Sequence, residues 1–285
     1  MSVRNALNSH APLVAPGVYD ALTASIASEA GFGALYVSGA AVAYTRLGRP
    51  DIGLVSMTEM AETVRLIADR TGTPLIVDAD NGHGNALNTQ RTVRLYENAG
   101  AGALQLEDQT MPKRCGHLRD KKLISANEMA GKIRAAVDAR RSSETLIIAR
   151  TDAIAVEGLS AALDRAELYL ENGADILFVE APRSLDEMKT VVAQLAHRAP
   201  LLANMVEGGD TPIGTAQELG DLGFKLVIFP GGIVRALAKT AVDYYAQLKG
   251  AGNNDAFRER MYDFNGLNRL IGTPEMLALG ADYDG

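Results

Sequence analysis

The stretch Ala99-Gly100-Ala101-Gly102-Ala103-Leu104-Gln105-Leu106-Glu107-Asp108 decides the fold. It reads as a helix stop at Gly100, a short apolar strand over Ala103–Leu106 and two acids at the strand end. Glycine accepts the left-handed backbone that closes a helix. A short apolar run without alternation fits a strand buried on both faces, as in a parallel sheet.

The same order recurs in both directions. Apolar runs end in polar residues at Leu13–Val18 (Asp20), Ala34–Val37 (Ser38, Gly39), Pro74–Val77 (Asp78, Asp80), Leu146–Ala149 (Arg150, Asp152), Ile176–Val179 (Glu180), Leu201–Ala203 (Asn204) and Leu226–Phe229 (Pro230). Helical patterns lie between them over Ala21–Ala30, Thr58–Arg70, Asn88–Ala99, Ala126–Ala139, Ser160–Asn172, Ser184–Ala196 and Thr215–Leu222. Ser160 is the expected N-cap of one helix, and Ser184 with Glu187 the expected capping box of another. Such repetition predicts an α/β fold, a (β/α)8 TIM-type barrel. An open doubly wound sheet fits less well, because the repeats fill the length and no Gly-x-Gly-x-x-Gly opens the first helix. The segment from about 250 to 285 holds no further unit. It reads as a C-terminal helical extension of a single domain spanning 1–285, and as a possible oligomer contact.

Composition narrows the function. The net charge of -7 supplies no basic stripe to displace phosphate counterions, which argues against nucleic acid. An anionic substrate would need local cations, so single Arg and Lys residues carry weight. The one cysteine excludes an intramolecular disulfide and suits a reducing compartment. The first ten residues lack the apolar core of a signal peptide, and no apolar run approaches the ~18 residues of a membrane span. A cytoplasmic protein with no membrane partner is the expectation.

In a barrel the strand C-termini face one pocket. Asp78, Asp80, Glu107 and Asp108 are expected to converge there with Asp51. Clustered carboxylates repel unless a cation neutralises them, and hard oxygen donors without a histidine cluster indicate Mg2+ or Mn2+, held partly through water. The other reading of any one acid is a salt bridge or a cap. Lys113-Arg114-Cys115-Gly116-His117 surrounds the lone thiol with cations, which would make it reactive on a mobile loop; a solvated basic loop is the alternative. Arg150 can grip a carboxylate bidentately. Arg235, after Pro230-Gly231-Gly232, is either an anion binder or a surface residue. His83, between Gly82 and Gly84, can line the pocket, while His10 and His197 look superficial.

Taken together, Tyr36-Val37-Ser38-Gly39, Arg49-Pro50-Asp51, Asp78-Ala79-Asp80, Glu107-Asp108-Gln109, Lys113-Arg114-Cys115-Gly116-His117, Ala149-Arg150-Thr151-Asp152 and Phe178-Val179-Glu180-Ala181 resemble the isocitrate lyase/phosphoenolpyruvate mutase superfamily. The Lys-Arg-Cys-Gly-His loop marks its carbon–carbon lyase branch. The resemblance implies a metal site at Asp51, Asp78, Asp80 and Glu107. It implies that Ser38, Gly39 and Arg150 grip the α-keto-acid half of the substrate. Cys115 would exchange a proton with the departing carbon, Tyr36 would sit near the scissile bond, and Lys113, Gly116, His117, Glu180, Asn204 and Arg235 would line the pocket. It also implies a helix-swapped dimer of dimers, a homotetramer.

Two stretches separate the possible substrates, all small dicarboxylates or tricarboxylates. Methylisocitrate lyases resemble Asn-Ile-Thr-Glu where this chain has Asn204-Met205-Val206-Glu207, and Pro-Leu-Ser where it has Pro230-Gly231-Gly232. Two hydroxyl donors for a further carboxylate are thus absent, and the sequence looks more like the 2,3-dimethylmalate lyase branch. Arg235 keeps the tricarboxylate reading alive. Oxaloacetate hydrolysis or decarboxylation ranks lower, and a non-catalytic binder last.

Overall fold

The computed structural model describes residues 2–116, 120–212 and 214–283. Eight parallel strands alternate with helices: β1 (Leu13–Val18), β2 (Leu35–Val37), β3 (Leu75–Asp78), β4 (Ala101–Glu107), β5 (Leu146–Thr151), β6 (Ile176–Val179), β7 (Leu202–Asn204) and β8 (Leu226–Phe229). Each strand pairs with its sequence neighbour from β1 to β6, β1 also pairs with β8, and β7 pairs with β8. The ring closes between β6 and β7 through one parallel bridge, Leu177 to Leu201. This is the predicted (β/α)8 barrel.

The helices are α1 (Val3–Leu7), α2 (Ala21–Glu29), α3 (Gly39–Val42), α4 (Met57–Arg70), α5 (Ala86–Ala99), α6 (Ala126–Ala139), α7 (Leu159–Glu171), α8 (Leu185–Leu195), α9 (Ala216–Leu222), α10 (Gly232–Ala251), α11 (Phe264–Leu270) and α12 (Thr273–Ala281). Ser56 with Glu59 and Thr215 with Glu218 form capping boxes, satisfying N–H groups that have no partner inside the helix. Two end assignments differ from the sequence reading. The helix expected to start at Ser160 begins at Leu159 with Gly158 as N-cap, because the Gly158 carbonyl already accepts the first helical bond, from Ala162. Ser184 caps α8, but the Glu187 carboxylate accepts from the Arg183 N–H instead of closing the box.

The barrel interior is a single apolar cluster that includes Ala15, Tyr36, Ile76, Ala103, Ile148, Phe178, Leu202 and Ile228. Val3 and Ala6 belong to it, so α1 (absent from the sequence reading) plugs the N-terminal end of the strands. The opposite end is therefore the open one, where the strands deliver their polar residues.

The chain divides into two compact units, Met1–Gly232 and Ile233–Gly285. The barrel is the first. In the second, Tyr244 packs edge-on against Phe257, and Arg260 lies over the Phe257 ring. Helices α11 and α12 bury none of their residues, and Phe264 is 84% exposed. Among the described residues no helix is long and apolar enough to cross a membrane.

Candidate active site

Two buried acids sit against one ammonium group. Lys113 Nζ lies 2.5 Å from Asp51 Oδ1 and 2.7 Å from Asp80 Oδ1, with its side chain 3% exposed. Burial alone would lower the Lys113 pKa; the negative charges of Asp80, Glu107 and Asp51 reverse this and hold it well above the ordinary lysine value. Burial raises the carboxyls of Asp51, Asp80 and Glu107, against the opposing charge of Lys113 for the first two and of Arg150 foremost for Glu107.

Backbone geometry aims these acids. Asp80 adopts a left-handed backbone, φ +48°, uncommon outside glycine and the kind of strain that gathers at functional positions. Its N–H donates to Asp78 Oδ1 at 3.1 Å, and its carbonyl accepts from the Glu107 N–H at 2.9 Å. Gly39 donates its N–H to Asp78 Oδ2 at 3.3 Å; a Cβ there would press on that oxygen. Ser38 caps α3, its hydroxyl accepting from the Ala41 N–H. Below the acids, the Tyr36 hydroxyl donates to Gln105 Oε1 at 2.8 Å, and Gln105 Nε2 donates to Asp78 at 3.4 Å. Burial, then Asp78, raises the Tyr36 phenol well above its usual value, so it stays protonated.

On the facing strands, Arg150 forks onto Asp152, with Nε to Oδ2 at 3.0 Å and Nη2 to Oδ1 at 3.1 Å. Its outer edge reaches Glu107 at 3.5 Å and Glu180 at 3.6 Å, and it stacks over Phe178. Asn204 Nδ2 donates to both Glu180 oxygens, at 3.2 and 3.3 Å. Asn204 Oδ1 and Glu107 Oε1 are buried and accept no hydrogen bond. Orphaned buried acceptors aimed at one space indicate a ligand or ion that supplies donors.

The loop after β4 covers this space. It is pinched at its base by an antiparallel bridge between Gln109 and Leu123, and the Gln109 amide engages both the N–H and the carbonyl of Arg114. Lys113 and Gly116 are buried and Cys115 is half-buried. A Cβ on Gly116 would collide with the Glu180 carboxylate and the Arg150 guanidinium, so only glycine allows the loop to lie this close. His117 lies outside the described residues.

Two expectations change. Asp108 does not join the acids. Successive strand residues point to opposite faces, so Glu107 faces the pocket and Asp108 faces outward. There it accepts from Thr151, Tyr169, Arg165 and the Asp152 N–H, bracing the end of β5 against α7. The cations near the thiol are also committed elsewhere: Lys113 to the acids, and Arg114 partly to Asp120. His83 donates to or accepts from Tyr96 at 2.9 Å at the pocket edge, and His10 and His197 are exposed. Arg235 lies on α10 in the second unit. Sequence reasoning missed Gln105, Lys121 and the hub role of Asp152, since each has a deciding partner on a different element: Tyr36 for Gln105, and Lys121 and Asp152 for one another.

The family model for phosphoenolpyruvate phosphomutase matches residues 4–249. The chain belongs to the phosphoenolpyruvate mutase/isocitrate lyase superfamily. Within this superfamily it is 41% identical to a 2,3-dimethylmalate lyase of Eubacterium barkeri, over 99% of this chain and 96% of that one. It is 46% identical to a 2-methylisocitrate lyase of Aeropyrum pernix, over 91% and 83%. The structure of an oxaloacetate acetylhydrolase bound to 3,3-difluorooxalacetate superposes with a TM-score of 0.94 at 34% identity, covering all of this chain and 96% of that one. As an enzyme, the chain falls with the carbon–carbon lyases of the superfamily.

The residues present fit a divalent cation. The donors are hard carboxylate oxygens, the buried Glu107 Oε1 accepts no hydrogen bond, and the cluster carries more negative charge than Lys113 offsets. Among the described residues no three acid, imidazole or thiol groups converge for direct ligation.

Proposed function

We propose that this chain is a Mg2+-dependent lyase that cleaves the C2–C3 bond of a 2-alkylmalate-type dicarboxylate such as 2,3-dimethylmalate. The products are pyruvate and a short carboxylate. Mn2+ would substitute for Mg2+. One observation carries the reading: the loop bearing Cys115 folds over Arg150 and Glu180, beside the acid cluster.

A cation held by Asp51, Asp78, Asp80 and Glu107 supplies one thing, an acidified hydroxyl on a 2-hydroxy acid. The rest falls to the chain. Arg150, fixed by Asp152, binds the carboxylate of the keto-acid half with the edge it leaves open. Ser38 and Gly39 bound the same end of the pocket. Loss of the hydroxyl proton expels the second fragment as an enediolate. Lys113 and His117 offset its charge, and the Cys115 thiol delivers a proton to its carbon. Gly116 and Glu180 close the pocket, and Glu180 orients Asn204 toward the ligand.

A tricarboxylate such as methylisocitrate is the second reading, favoured by the 46% identity to a 2-methylisocitrate lyase; oxaloacetate hydrolysis or decarboxylation is the third. Purified protein with Mg2+ against 2-alkylmalates, methylisocitrate and oxaloacetate separates them by product. Pyruvate with propionate from 2,3-dimethylmalate supports the proposal. Pyruvate with succinate from methylisocitrate alone, acetate from oxaloacetate, or binding without turnover replaces it. The proposal extends to a cytoplasmic homotetramer whose chain forms one barrel domain with a helical extension.

A further inference from the structure

Lys121 has no part in the chemistry above, yet it is among the most buried charges of the protein. Its side chain is 1% exposed, and it returns from the reactive loop toward the barrel. Its ammonium has two partners. It donates to the Gly116 carbonyl, next to Cys115, and pairs with Asp152 Oδ1 at 2.9 Å. Asp152 in turn holds Arg150 by both fork nitrogens, and its N–H is fixed by Asp108. A continuous chain of charge-assisted bonds therefore runs from the backbone beside the thiol to the guanidinium that faces the substrate.

We propose that Lys121 is a positioning residue, a latch that holds the Cys115–Gly116 segment closed over Arg150 through Asp152. A loop this small would be held at its base by the Gln109–Leu123 bridge in any case. The latch acts at the other end, where the thiol must meet a carbon. Its position also explains the buried ammonium: apolar packing would fill the same space without fixing the Gly116 carbonyl.

The inference rests on the proposed function only for its kinetic arm. Lys121→Met keeps the stem length and removes the charge, leaving the Arg150–Asp152 fork in place. In the ligand-free variant, hydrogen exchange over 110–122 should accelerate at least about tenfold, as expected for a lost charge-assisted bond. Exchange in α6 and β4 should stay unchanged. With substrate, kcat should fall by about 10- to 100-fold, the scale for a displaced catalytic group, with KM nearly constant because Arg150 still binds. Lys121→Arg, which retains a donor, should recover part of both and stands in if the Met variant does not fold. A merely structural lysine would lower Tm and speed exchange across neighbouring elements without this split. Unchanged exchange over 110–122, or a raised KM with intact kcat, overturns the latch. Should no alkylmalate be turned over by the wild type, the ligand-free exchange still decides.

Discussion

Lys113 and Asp80 lie 2.7 Å apart, one on the loop after β4 and the other just beyond β3. The acid cluster thus touches the covering loop directly, and the ion pair is buried at both ends. Removing Lys113 leaves two buried carboxylates facing each other without their shared cation, a costlier change than losing a surface pair, whereas removing Asp80 leaves Lys113 paired with Asp51.

Metal dependence follows from that cluster. Chelator treatment should abolish turnover, and Mg2+ or Mn2+ should restore it. Asp80→Ala should be inactive with its circular dichroism unchanged. Full activity in chelator-treated protein would remove the metal from the proposed function.

Cys115→Ser should bind a substrate analogue nearly as well as the wild type but lose about 10²–10⁴-fold in kcat, the usual range for an acid–base group. Serine is close in size and far less acidic, so packing changes little. A variant keeping more than about a tenth of wild-type turnover, outside that range, would move oxaloacetate decarboxylation ahead of the lyase reading.

Asp152 gives a pH signature. Burial would raise its carboxyl, but Arg150 first and Lys121 second overcome this and bring it down to about 2. The unfolded value is about 3.9. A depressed carboxylate adds stability above its unfolded pKa and loses it as pH falls through the folded one. Asp152→Asn, which takes the ion-pair partner from buried Lys121 and the bidentate one from Arg150, should cost about 3–5 kcal/mol at neutral pH. Its stability gap from wild type should narrow between about pH 4 and pH 2. Denaturant unfolding across that range measures it; a gap that widens in acid would contradict the assignment.

The barrel was legible because glycine stops, apolar runs and strand-end polar residues repeat in register with the eight strands. The acids of the site were legible because a strand end at Asp78 or Glu107 has one destination in a barrel. What could not be read was direction and partnership. Asp108 follows Glu107 in sequence, but the pleat turns it away. Lys121 reads as one residue of a basic Lys121-Lys122 pair, and only the folded loop shows one lysine buried and the next exposed. Helix α1 carries no periodic signal in five residues, so its role as a plug appears only in the packing.

Assembly can be tested separately. Tyr262, Phe264, Met276 and Leu277 are each at least 66% exposed in the second unit, an apolar content suited to a subunit contact. Sedimentation at micromolar concentration should give a tetramer, and a chain ending at Gly250 should give smaller species. A monomeric full-length protein would rule the contact out.

The ring of strands has a thin joint. Among the described residues β6 and β7 share one bridge, while every other neighbouring pair has a register of at least two positions. Glu180 and Asn204 stand at the mouth of that joint, one on each lip, and already clasp each other across it. A ligand that fills the open valence on Asn204 would add a second rivet there. Occupancy would then be felt as stiffness in the barrel wall itself, and the first breach on heating an empty molecule would run down the line between Leu177 and Leu201.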